Sequence, residues 1–153
     1  MDAGVIVDDP VSDMLSYIKA DAVDCIHLYG KWSGPTMKFL TEKFEFAEVA
    51  FDDDEQFHSV LRMTRDSLPM PVACTPQMIL ASKPNGEFLD ALRSMGNRFD
   101  EVRFVIVEHH YSEELEDIEE YLDERGFILK QMTGGTDIFV ATLYHRAIAP
   151  GSQ

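Results

Sequence analysis

Residues Trp32-Ser33-Gly34-Pro35-Thr36 follow an apolar run from Cys25 to Tyr29 and open a segment with helical spacing. At such a strand-to-helix turn the unpaired backbone N–H groups and the helix dipole favour an anion, and a thiol there has its pKa lowered toward the reactive thiolate. Ser33 and Thr36 bring hydroxyls instead. A hydroxyl gains little from that field, and neither residue can form a disulfide or a mixed disulfide, so thiol exchange has no atom to run on. Capping remains: Ser33 or Gly34 suits the N-cap, and Pro35 suits the first turn, where its fixed φ and missing N–H cost nothing.

Cys25 and Cys74 are the two cysteines. They give no metal-site spacing, pair only if the fold brings them together, and are expected to be reduced in a cytosol-like compartment. Cys74 has no sequence-adjacent base and reads as a small half-buried thiol, with residual thiol chemistry as the sharper alternative; Cys25 reads as core. Glu108-His109-His110 contains metal-ligand chemistries, but adjacent strand residues point to opposite faces, so a solvated strand end is the better account and no metal is expected. No G-x-G-x-x-G run appears, so the chain shows no dinucleotide or S-adenosylmethionine cradle, no cofactor is expected, and methyl transfer is not predicted.

The chain has 153 residues, 45% hydrophobic and 27% charged, which suits a globular protein with a real core. Thirteen basic residues against twenty-eight acidic ones leave a net charge of −15. That charge repels nucleic-acid phosphates and anionic lipid, so neither is an expected partner. No apolar run approaches the roughly 18 residues of a transmembrane helix, and Met1-Asp2-Ala3-Gly4 lacks a basic n-region, so a cytoplasmic chain is expected.

These residues need elements to position them. Gly4 to Val7 reads as a short strand; Pro10 opens a helix whose Val11, Met14, Leu15 and Ile18 share one face. Strands are expected at Cys25–Tyr29 and Phe44–Phe51, with a helix from about Pro35 to Glu42 between them. Asp52, Asp53 and Asp54 suit the next helix N-terminus, and Phe57, Val60, Leu61 and Thr64 mark its buried stripe. Gln77 to Leu80 reads as a strand, Lys83-Pro84-Asn85-Gly86 as a turn, Glu87-Phe88-Leu89 as a returning strand, and Ala91 to Met95 as a last short helix. Beyond Gly96, Val102–Val107 is an apolar strand and Ser112 caps an acidic helix running to Arg125, with Leu115, Ile118 and Leu122 inward. Gly126 fits the C′ position, and Phe127–Met132 pairs with Ile138–Tyr144 around Gly134-Gly135.

From about Cys25 to Gly96 this order resembles the thioredoxin and glutaredoxin superfamily. The resemblance lies in the Leu28-Tyr29-Gly30-Lys31-Trp32-Ser33-Gly34-Pro35-Thr36 turn and the Phe46–Phe51 strand with its acidic Asp52-Asp53-Asp54-Glu55. Thr75-Pro76-Gln77 ahead of a strand and Asn85-Gly86-Glu87-Phe88 complete it. It implies a redox-inactive member, with Ser33 and Thr36 where the family has its two cysteines. It also implies that Pro76 takes the place of the family's cis-proline beside the Trp32 turn, leaving Thr75 to offer a backbone edge to an extended partner. Lys31 matches a lysine that contacts a ligand carboxylate, or is simply solvated. Trp32 reads as an interface anchor or as packing on the domain's own surface.

The expected fold class is α/β: a thioredoxin-like central mixed sheet flanked by helices, with a C-terminal β-α-β-β extension. The expected domains are 1–98, thioredoxin/glutaredoxin-like; 99–146, the extension or a small second domain; and 147–153, a flexible tail. The extension also resembles the last strands of some methyltransferase folds. Loss of both motif cysteines points to a non-enzymatic interaction or assembly module with a protein partner, a subunit of a cellular assembly or of a virus particle assembled in the cytoplasm. Lys31, Trp32, Thr75 and Pro76 would form its binding surface. The alternative is a thiol- or glutathione-dependent oxidoreductase or transferase using Cys74.

Overall fold

The computed structural model describes residues 10–30, 32, 34–45, 47–51, 70–71, 75–82, 86–109, 113–134 and 140–146. The elements run α1 (Pro10–Leu15), β1 (Cys25–Tyr29), α2 (Gly34–Lys43), β2 (Glu48–Phe51), β3 (Met70–Pro71), β4 (Met78–Ser82) and α3 (Gly86–Ser94). They continue through β5 (Phe104–His109), α4 (Glu113–Glu124), β6 (Ile128–Gly134) and β7 (Val140–His145). Short 3-10 turns occupy Ala20–Ala22 and Gly96–Glu101. The expected strand at Gly4–Val7 and helix after Asp52 lie outside the described residues.

Seven strands form one mixed sheet in the order β3-β2-β1-β4-β5-β7-β6. The first five in that order are parallel to their neighbours, while β7 lies antiparallel between β5 and β6. The β-α-β-β segment after Gly96 therefore hydrogen-bonds into the same sheet as the preceding strands. Alternation along the strands supplies two cores. Ile26, Leu28, Met78, Leu80, Ile106 and Leu143 face α1 and α2, whereas Ile79, Ala81, Val105, Val107 and Tyr144 face α3 and α4. All five residues of β4 are buried, as a central parallel strand covered on both faces requires.

Helix α1 forms but stops at Leu15: Val11, Met14 and Leu15 on it and Ile18 just past it are all buried, each contributing about 1.5–3 kcal/mol of apolar burial. Helix α4 ends as its glycine predicts. Gly126 sits at φ 88, its N–H donates to the Asp123 carbonyl at 3.0 Å, and the Phe127 N–H reaches the Leu122 carbonyl at 2.9 Å, the paired bonds of a Schellman close.

The hairpin after β4 does not form. Gly86–Ser94 is helical, and Phe88, Leu89, Leu92 and Met95 are buried at i, i+1, i+4 and i+7, a helical stripe that outweighs the Asn85-Gly86 turn signal. Strand β4 is thus followed by a crossover helix and a parallel β5, where the thioredoxin-like reading required an antiparallel return. The coarse expectation stands, an α/β fold with a mixed sheet flanked by helices; its thioredoxin-like part is corrected.

Gln77, just ahead of β4, ties three strand beginnings together. Its Oε1 accepts from the Asp24 N–H at 2.7 Å and the Cys25 N–H at 2.9 Å. Its own N–H donates to the Cys25 carbonyl, and its carbonyl accepts from the N–H groups of Arg103 and Phe104. Gln77→Ala leaves two backbone donors without their acceptor and is expected to cost about 1–3 kcal/mol; Gln77→Glu, which keeps the acceptor, should lose less, as read by denaturant unfolding.

Tyr144 is buried among the α4-side residues, and burial pushes its phenol from 10.0 up to about 12. The unfolded chain therefore releases this proton first, so the Tyr144 contribution is intact below about pH 10 and is lost as pH rises toward about 12. Ultraviolet titration of tyrosinate should show a late step that Tyr144→Phe removes.

Candidate functional site

Strands β1 and β4 are neighbours, yet the chain leaves them in opposite directions. From β1 it crosses to β2 through α2 on one face; from β4 it crosses to β5 through α3 on the other. The chain leaves their carboxyl ends toward opposite faces, the switch point whose crevice binds ligands in doubly wound sheets.

Gly30 shapes the crevice floor. It follows β1 at φ 83, and a Cβ at this position would lie 2.5 Å from the Ser82 carbonyl oxygen. The β1 exit turn thus runs against the end of β4 with no room for a side chain. Gly34 opens α2, and a Cβ there would meet nothing within 4 Å. The head of this ten-residue helix lies at the carboxyl end of β1, where the positive end of its dipole attracts anions.

Side chains pack on both faces at this end of the sheet. Trp32 is buried, its ring in the α1–α2 core and its Nε1–H donating to the Tyr29 carbonyl at 3.2 Å. Opposite it, Tyr29 meets Phe88 of α3 edge-on at 5.2 Å between ring centroids. At the ends of β4 and β5, Ser82 and Glu108 are register partners, and the Ser82 hydroxyl donates to Glu108 Oε1 at 3.2 Å. Glu108 is half-buried, a carboxylate held by a neighbour at the mouth and able to accept a proton. His109, the next residue, is buried rather than solvated, and His110 lies outside the described residues. Among the described residues no three His, Cys, Asp or Glu side chains converge on a metal position.

The residues expected to form one binding surface are separated. Because β4 runs parallel to β1, with Ile26 opposite Met78 and Tyr29 opposite Ala81, Thr75 and Pro76 lie at the amino end of the sheet, beside Cys25. Trp32 lies past the carboxyl end. An antiparallel β4 would have brought them together. No peptide bond among the described residues is cis. Pro35 is exposed and Thr36 buried at the start of α2, while Lys31, Ser33 and Cys74 lie outside the described residues. Cys25 is buried, as its core reading expects, but it is disulfide-bonded rather than reduced.

No protein-family model and no curated protein matches the sequence. Solved structures do share its fold. Sp1610 from Streptococcus pneumoniae, in complex with S-adenosyl-L-methionine, superposes with a TM-score of 0.64 at 10% identity, over 94% of this chain and 75% of that one. The Bacillus subtilis m1A22 tRNA methyltransferase TrmK gives 0.61 at 10% identity, over 92% and 67%. A SAM-dependent methyltransferase from Aquifex aeolicus gives 0.61 at 11%, over 92% and 90%. At such identities the likeness is one of fold.

These methyltransferase neighbours overturn the thioredoxin and glutaredoxin reading. With it fall the redox-inactive assembly module, the expectation that the chain is no enzyme, and the alternative thiol oxidoreductase or transferase using Cys74. The sequence pattern does not mark Gly30, Ser82 and Glu108 as a set. The signal it holds is a glycine directly after an apolar strand and four residues before Gly34, short of a full G-x-G-x-x-G run.

Gly30→Ala should be severe: the left-handed backbone alone costs about 1–2 kcal/mol, and the Ser82 carbonyl must also move. Gly34→Ala, with open space around its Cβ, should leave unfolding free energy within about 0.5 kcal/mol of the parent. Equal losses in denaturant unfolding would contradict this account of the turn.

Proposed function

We propose that this chain is an S-adenosylmethionine-dependent methyltransferase domain whose cofactor lies across the carboxyl ends of β1, β2 and β4. One observation supports this above the others: the seven-stranded order with β7 inserted antiparallel between β5 and β6, a fold shared with a structure that holds S-adenosyl-L-methionine.

The residues at hand fit such a group. Gly30 leaves the backbone turn bare where a Cβ would collide, and the head of α2 brings the positive end of its dipole to a carboxylate. Strand β2 ends at Phe51, and Asp52-Asp53-Asp54 follow in the sequence, about twenty residues after Gly30, the spacing at which an acidic residue takes ribose hydroxyls in doubly wound folds. S-adenosylmethionine, when bound, supplies an electrophilic methyl group. Glu108 then serves as the proton acceptor for an incoming nucleophile, with Ser82 fixing its carboxylate at 3.2 Å. The net charge of −15 disfavours a polyanionic acceptor, so the acceptor belongs to the small molecules or proteins rather than to nucleic acids.

Isothermal titration calorimetry with S-adenosylhomocysteine tests the reading. The expected result is one site with a Kd of about 1–100 μM, near −6 to −8 kcal/mol, weakened at least about tenfold by Asp52→Ala and unchanged by Glu108→Gln. A folded parent chain that takes up no S-adenosylhomocysteine at millimolar concentration overturns it.

A further inference from the structure

A second cavity lies at the opposite end of the molecule from the crevice. It is an open hollow of about 440 Å³ lined by Tyr17, two residues past α1, Phe104 at the start of β5, Lys130 and Gln131 of β6, and Leu143 and His145 of β7. Strand β5 separates the two places, running from Phe104 at this cavity to Glu108 at the crevice, roughly 13 Å at about 3.3 Å per residue.

The cavity depends on a break in strand pairing. Leu129 opposes Tyr144 and Gln131 opposes Leu143, so Lys130 is the extra residue of a bulge. In a regular strand Lys130 and Gln131 would point to opposite faces. The bulge turns both toward the α1 side, where Gln131 Nε2 donates to Asp13 Oδ2 at 3.2 Å and both residues line the same cavity.

The lining has two kinds of chemistry. Phe104 and His145 stack on each other with ring centroids 5.3 Å apart and planes inclined by 29°, an aromatic wall. The Tyr17 ring is 72% exposed at the rim, with Leu143 buried at the base. Burial, and then the charge of Lys130, hold the His145 pKa below its ordinary 6.5, so at neutral pH the imidazole is uncharged. Lys130 is then the cation among the lining residues, within a chain of net charge −15. A flat ring fits the wall, an anion fits the ammonium, and the volume falls within the range of small-ligand pockets.

We propose that this cavity is a binding site for a small aromatic carboxylate, its ring against Phe104 and His145 and its carboxylate on Lys130. The site is separate from the crevice and does not depend on methyl transfer.

The probe is 2-naphthoate, titrated into the full-length chain and followed by calorimetry and by amide chemical shifts. The expected result is saturable one-to-one binding with shifts at Tyr17, Lys130, Gln131 and His145, and none at Gly30 or Ser82. Lys130→Met should weaken binding at least about tenfold, as loss of a charge-assisted contact implies, and Lys130→Arg should restore it. The neutral 2-naphthalenemethanol should bind as weakly to the parent as 2-naphthoate does to Lys130→Met. Absence of saturation, shifts centred on the crevice, or equal affinity for Lys130→Met and parent, both folded, would each overturn the proposal.

Discussion

The parallel pairing of β4 with both β1 and β5 is the constraint on which the rest of the structure depends. It sends the chain out of β1 and β4 at the same edge of the sheet, where α2 and α3 carry it to opposite faces. It also gathers the starts of the three strands at the other edge, where one residue, Gln77, satisfies their backbone groups with its side-chain carbonyl and its own peptide. That clasp fixes the register, and the register sets Gly30 against the Ser82 carbonyl and Ser82 beside Glu108. The crevice is a consequence of strand direction; its side chains refine it.

Much of this was legible locally. Val11, Met14 and Leu15 name the buried face of α1, the run Cys25 to Tyr29 is β1 to the residue, and Gly126 closes α4. Strand direction was not legible, because the same apolar run serves a parallel or an antiparallel neighbour. The segment Lys83 to Leu89 decided the matter: Asn85-Gly86 suggests a turn, while Phe88, Leu89, Leu92 and Met95 spell out a helix over a longer window. The pair alone implies a hairpin, and with it a fold in which Pro76 would sit beside Trp32. In the parallel sheet the two stand at opposite ends. Trp32 itself, an attractive anchor in an exposed turn, is buried with its indole N–H satisfied by Tyr29.

The two ends of the sheet divide the chemistry. At the carboxyl end, bare backbone at Gly30, the head of α2 and a held carboxylate at Glu108 suit a ligand with an anionic group and a nucleophile needing a base. At the amino end the polar atoms of Gln77 are spent on the fold, and the neighbouring cavity gains its polar groups through the bulge at Lys130. Arg146, just past β7, belongs wholly to structure: it donates to the carbonyls of Phe99, Val102 and Arg125 and lies over the rings of Phe99 and Phe127, joining the sheet's end to the helices that cover it.

A crystal structure of the chain grown with S-adenosylhomocysteine tests the central claim most directly. The account predicts the ligand across the carboxyl ends of β1 and β4, its backbone contacts at Gly30 and the head of α2, with Glu108 facing the sulfur side. A ligand seated anywhere else on the sheet, or a turn at Gly30 standing away from Ser82, would contradict it.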